Sequence, residues 1–168
     1  MKILETTIEG VLLIEPDIYR DNRGFFLETY SENRYFKKEI KIKFVQDNLS
    51  SSKKNTLRGL HYQLKNPQGK LVRVSRGTVF DVALDIRKGS SSFGKYFSTI
   101  LDDQKFRQLY MPPGIAHGFC VISNVADFEY KCTDFYSPEN QRGILWNDPE
   151  LDINWPVKNP ILSAQDQS

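Results

Sequence analysis

The sequence predicts an all-β protein of the sandwich or barrel kind, a jelly roll with a few short helices, in one domain spanning residues 1–168. Three observations predict it. Short runs rich in Val, Ile, Phe, Tyr and Leu recur along the chain and are cut by Gly, Pro, Asn and Asp. Aromatic residues reach 12%, with 11 Phe and 8 Tyr, which suits strands and aromatic-lined pockets. No linker, repeat or low-complexity segment interrupts the 168 residues. A chain of this length buries roughly two-thirds of its unfolded surface, enough for one core.

The strand-like runs, in order, are 10–14, 24–30, 44–48, 71–76, 78–87, 95–101, 108–111, 118–123 and 126–133. Residues 31–39 form the best helix candidate, with Ser31 as N-cap. Short helical turns are expected near 102–106 and after Pro149. In the run from Thr78, period two sets Phe80, Val82, Leu84 and Ile86 on one face. Val79, Asp81, Ala83 and Asp85 share the other, which therefore carries two acids. A strand through Arg58 to Gln63 points Arg58 and Leu60 one way and alternates His61 and Gln63 with Tyr62. His117 follows a tight turn in Pro112-Pro113-Gly114.

Charge and composition exclude several classes. The formal net charge is +2, from 23 basic and 21 acidic residues, too small a field to gather nucleic acid. Lys37, Lys38, Lys41, Lys43, Lys53 and Lys54 read as a solvated surface. No apolar run approaches the roughly 20 residues that span a bilayer. The start meets Glu5 and Thr6 before any signal-peptide apolar region can form, so the expected location is cytoplasmic. Cys120 and Cys132 make neither a C-x-x-C motif nor a zinc site, and nothing asks for a disulfide. G-x-G-x-x-G and G-x-S-x-G are both absent, which removes support for a dinucleotide-binding fold or an α/β-hydrolase.

The two histidines carry the chemical signal. Pro112-x-Gly114-x-x-His117 matches a fragment of the cupin jelly roll, and the segment holding His61 resembles its other half. There Gln63 stands where a second ligand histidine would. A cupin metal site wants about three imidazoles and a carboxylate, and this chain has two imidazoles in total. No metal is expected. Arg23, Arg58, Lys70 and Arg73 lie in aromatic-rich strand contexts. Half-buried cations there either pair with Asp81, Asp85 or Glu28 or face an anionic ligand.

A longer series of motifs narrows the reading. Gln46-Asp47-Asn48-x-Ser50, Leu57-Arg58-Gly59-Leu60-His61-Tyr62-Gln63, Gly69-Lys70-Leu71-Val72 and Gly77-x-Val79-Phe80-Asp81-Val82 come first. Asp85-x-Arg87-x-Gly89-Ser90, Pro112-x-Gly114-x-Ala116-His117-Gly118-Phe119, Tyr130-Lys131-x-Thr133, Trp146-Asn147-Asp148-Pro149 and Leu162-Ser163-x-x-Asp166 follow. In this order, from about Gly10 to Asp166, they resemble the dTDP-4-dehydrorhamnose 3,5-epimerase family of metal-free cupins. The resemblance implies a homodimer that inverts carbons 3 and 5 of a dTDP-linked 4-keto-6-deoxyhexose without a cofactor. It implies His61 as base, Asp166 as its orienting carboxylate, Tyr130 as acid on the far face and Lys70 at the keto oxygen. His117 is expected beside the sugar. Arg23, Glu28, Gln46, Asn48 and Arg58 match positions that hold the nucleotide and diphosphate, and Tyr136 is a candidate for stacking on substrate. Gln141 and Gln165 stand at substrate-contact positions where the family commonly has Glu and Lys. The alternatives are a mono-epimerase acting at one of the two carbons, a 4-keto to 3-keto isomerase and a binding-only nucleotide-sugar cupin.

Overall fold

The computed structural model describes residues 1–37, 40–41 and 43–167. Its strands are β1 (Lys2–Glu5), β2 (Leu12–Glu15), β3 (Ile18–Asp21), β4 (Gly24–Leu27), β5 (Gln46–Lys53), β6 (Leu57–Gln63) and β7 (Lys70–Arg76). They continue as β8 (Thr78–Asp85), β9 (Tyr96–Asp102), β10 (Gln108–Met111), β11 (Ile115–Val121), β12 (Val125–Cys132) and β13 (Gln141–Gly143). Helix α1 is only Glu32–Phe36, and Ser31 makes no side-chain cap. The predicted helix was longer; its residues Lys38 and Glu39, and Lys38 of the predicted basic surface, lie outside the described residues. The helical turns expected near 102–106 and after Pro149 are plain turns. Short 3-10 helices form instead at Pro138–Asn140 and Gln165–Gln167.

Two antiparallel sheets hold the site between them. One runs β1-β2-β10-β7-β12-β5 and the other β13-β6-β11-β8-β9, while β3 and β4 form a separate hairpin. Period-two alternation sends Val72, Val74, Phe128, Val79, Ala83, Phe119 and Val121 into the shared core. The other face of the six-stranded sheet is covered by α1, where Tyr35 packs with Ile14, Leu71 and Tyr110. The acid-bearing face of β8 looks inward. Its apolar face, Phe80, Val82 and Leu84, is covered from outside by Ile144, Leu151, Ile153 and Trp155. Both faces of that strand are therefore buried, and each inward acid has partners. Asp85 accepts from Arg87, Ser90 and Ser92, and Asp81 meets His117.

Strict alternation fails at one place that matters. Phe119 of β11 pairs with Arg58 while His117 pairs with His61, so two steps on β11 face three on β6. This bulge turns Arg58 and His61 to the same side. The expected pairing of Arg58 with Leu60 is thus corrected: Leu60 packs outward against Val82, Leu84 and Ala116. Gly59 sits in the bulge at φ +125, and a Cβ there would lie 2.5 Å from Gly118 Cα. Only glycine fits. Among the described residues no helix is long and apolar enough to cross a membrane.

Candidate active site

A pocket of about 360 Å3 opens between the sheets. One wall is β6 and β11, with Arg58, His61, His117 and Phe119; the other is β5, β7 and β12, with Asn48, Lys70, Phe128 and Tyr130. Tyr136 and Gln141 stand at its rim.

His61 Nε2 lies 2.6 Å from Asp166 Oδ1 across 105 residues of sequence. Asp166 also accepts the Gly59 N–H at 3.3 Å and the Ser163 hydroxyl at 2.7 Å. Burial pushes its carboxyl pKa up, but the bonds from His61, Ser163 and Gly59 outweigh it and hold the pKa below the usual value. The carboxylate is therefore ionised and can only accept. Nε2 carries the proton, and Nδ1 keeps its lone pair with no protein partner among the described residues.

His117 has a carboxylate of its own. Its Nε2 lies 2.9 Å from Asp81 Oδ2, both side chains are buried, and the ring stacks on Phe128 with centroids 5.7 Å apart. Asp81 Oδ1 is buried with no partner among the described residues. Register pairs His117 with His61 directly, so the two histidine–aspartate pairs are cross-strand neighbours.

On the facing wall, Lys70 sits with its ammonium 5.9 Å from the Tyr130 ring centroid. It has no ion pair among the described residues. Burial lowers its pKa, opposed by the nearby Cys132 and Asp81 charges. Burial raises the pKa of Tyr130, so its hydroxyl stays protonated at neutral pH. That hydroxyl has no protein hydrogen bond among the described residues. A base with a free lone pair thus faces a phenol across a space flanked by an ammonium. Such an arrangement can remove a proton on one side of a ligand and return one on the other.

The family model for dTDP-4-dehydrorhamnose 3,5-epimerase matches residues 5–168. The chain belongs to this family. The dTDP-4-dehydrorhamnose 3,5-epimerase of Shigella flexneri is 51% identical over 169 residues, covering 99% of this chain and 93% of that one. That of Neisseria gonorrhoeae is 49% identical over 168 residues, and there the chain spans only 51% of the relative's length. The crystal structure of dTDP-6-deoxy-D-glucose-3,5-epimerase from Legionella pneumophila Philadelphia 1, solved with dTDP-4-keto-L-rhamnose, superposes with a TM-score of 0.95. It shares 50% identity over 98% of this chain and 89% of that one. The fold is accordingly the epimerase cupin jelly roll.

Most of the predicted site residues converge on the pocket: Gln46, Asn48, Arg58, His61, Lys70, His117, Tyr130, Tyr136 and Gln141 line it, with Asp166 directly behind His61. Three do not. Arg23 is 87% exposed on the β3–β4 hairpin and pairs with Asp21; Glu28 pairs with Arg34; Gln165 is exposed next to Asp166. The acids proposed as partners for the strand cations are also not those observed. Arg73 pairs with Glu129, and Arg58 donates to Ser52 Oγ at 3.0 and 3.1 Å. Cys120 and Cys132 are buried and free. Among the described residues no three His, Cys, Asp or Glu side chains converge in a way that could hold a metal ion. Sequence reasoning missed Ser163 as the second anchor of Asp166, although it lies inside a quoted motif.

Proposed function

We infer that the chain is a dTDP-4-dehydrorhamnose 3,5-epimerase. It inverts carbons 3 and 5 of dTDP-4-dehydro-6-deoxy-D-glucose, giving dTDP-4-dehydro-L-rhamnose. One observation supports the mechanism above the rest: the His61–Asp166 pair and the Tyr130 hydroxyl face each other across one pocket. A proton alpha to a ketone is roughly a dozen pKa units less acidic than an imidazolium, at about 1.4 kcal/mol each. A base alone cannot close that gap. Nδ1 of His61 takes the proton while Asp166 stabilises the imidazolium. The Lys70 ammonium holds the enolate oxygen. Tyr130 then returns a proton from the opposite face, which inverts the centre. His117, fixed by Asp81, stands beside the sugar. Arg58, with a hydroxyl but no carboxylate as partner among the described residues, is left to fork onto diphosphate oxygens.

The working unit is a cytoplasmic homodimer, and the hairpin supports this reading. Arg23 and Glu28 lie away from the pocket they are expected to serve, while Tyr19, Phe25 and Phe26 are exposed, Phe26 at 69%. A second copy that takes up this hairpin covers those rings and brings Arg23 to the partner's nucleotide.

Substitutions at the two faces test the mechanism. His61→Asn removes alpha-proton exchange and leaves dTDP affinity within about threefold, since no nucleotide contact is lost. Tyr130→Phe slows net inversion more than isotope exchange. Equal loss of both in Tyr130→Phe would refute the acid assignment, and retained exchange in His61→Asn would remove His61 as base.

A further inference from the structure

Three glutamines from separate parts of the chain converge on one short loop. Gln63, at the end of β6, donates to the carbonyl of Phe135 at 3.3 Å and accepts the N–H of Ser137 at 3.0 Å. Gln68 donates to the carbonyl of Asp134 at 2.8 Å. Gln46, at the start of β5, accepts the N–H of Tyr136 at 3.0 Å. Four successive residues, 134–137, each have a backbone group taken by a glutamine amide. Every bond goes to main chain, so the strap is indifferent to the loop's side chains and fixes its path. Gln63 is 6% exposed, and its second donor contact, to the Asn66 carbonyl at 2.8 Å, fixes the amide itself.

The strap holds aromatic rings out, not in. Phe135 is 66% exposed and Tyr136 52%, and Tyr136 stands at the pocket mouth between the two backbone groups that Gln63 grips. A loop that merely closed the fold would turn such rings toward the core. Gln63 is also the residue that stands where a metal-binding cupin would carry a second histidine, and here both ends of its amide are committed to the loop.

We propose that Gln63, with Gln46 and Gln68, is a positioning residue that preorganises Tyr136 as a fixed wall for the nucleotide end of the substrate. This rests on the epimerase reading for the identity of that ligand. Preorganisation lowers the ordering cost of binding and leaves the proton transfers at His61 and Tyr130 alone. The effect therefore falls on affinity and not on turnover.

The experiment is a double-mutant cycle on the full-length protein with dTDP as probe, joined to amide hydrogen exchange without ligand. Gln63→Leu weakens dTDP and raises the substrate KM about tenfold, with kcat within about threefold. Tyr136→Ala weakens dTDP similarly, and adding Gln63→Leu to it costs nothing further, because the two act through one wall. In the ligand-free protein, Gln63→Leu strips protection from the Ser137 amide and leaves the sheet amides unchanged. Gln68→Leu, which cuts one bond, is the second variant and shows the same coupling at about threefold should Gln63→Leu not fold. Additive losses of affinity, an equal fall in kcat, or unaltered Ser137 exchange would each overturn the proposal. A wild-type protein that neither binds dTDP nor exchanges the sugar protons defeats the epimerase reading and the nucleotide role together. Additivity in an active, dTDP-binding enzyme defeats the proposal alone.

Discussion

Burial shifts the titration of two groups that line the pocket. The role proposed for Lys70 at the enolate requires an ammonium, and burial brings its pKa below the ordinary 10.5. Tyr130 moves the other way, above 10.0, so it keeps its proton in the same range. Activity therefore falls as pH rises through the lowered Lys70 value. The alkaline limb of kcat/KM lies below pH 10.5, and Lys70→Arg, which stays charged, moves that limb upward in a profile taken to about pH 11. A limb unmoved by Lys70→Arg contradicts the assignment. At this scale the sequence was partly legible. His61 and His117 stand out because they are the chain's two imidazoles and sit in recognisable local motifs. Asp166 is 105 residues from His61, and no local pattern connects them; only the resemblance did. The side to which Arg58 points was misjudged because alternation assumes an unbroken register, and the bulge at Gly59 breaks it.

The strands that build the walls carry their own anchors. Asp85 ends β8 with no exposed side-chain area, accepting from Arg87 Nε and Nη2, the Arg87 N–H, Ser90 and Ser92. Burial pushes its pKa up, but the Arg87 and serine bonds together hold it well below the usual carboxylate range. A carboxyl whose folded value is depressed contributes stability that is full above its unfolded pKa and fades as pH falls through the folded one. Asp85→Ala leaves Arg87 unpaired and lowers unfolding free energy by about 3–5 kcal/mol in urea at neutral pH. The gap to wild type holds down to about pH 4 and closes only beneath it. A deficit below about 1 kcal/mol would show that the cluster contributes no more than an exposed ion pair does. The long strands β8, β9 and β12 were readable because each is a run of seven or eight residues rich in Val, Ala, Ile, Phe, Tyr and Leu, and in β12 Ala126, Phe128, Tyr130 and Cys132 also alternate. β1 and β3 were not. β1 carries a charge at each end of its four residues, Lys2 and Glu5, and β3 reads Ile18-Tyr19-Arg20-Asp21 with mostly exposed side chains. The helix ends at Phe36 with Lys37 as its C-cap, and Tyr35 and Ile40 both cover Ile14, Leu71 and Tyr110.

The molecule as a whole places His61, Tyr130 and Lys70 between two sheets and leaves one hairpin outside them. If that hairpin serves a second copy, subunits with complementary defects rescue each other. Arg23→Ala and His61→Ala homodimers are each deficient, but mixed and re-paired they recover about a quarter of wild-type activity. Half the dimers are then hybrids, and one of the two sites in each is intact. No recovery would assign the hairpin to its own pocket. The fold class was legible at this scale because strand length and turn spacing are global properties. The distance from Arg23 and Glu28 to the pocket was not, since sequence order says nothing about which copy a loop serves. The most direct test of the account is proton NMR in D2O with dTDP-4-keto-6-deoxyglucose and no added metal or cofactor. The account predicts deuterium at both carbon 3 and carbon 5. Exchange at one carbon, or at neither while dTDP still binds, would contradict it.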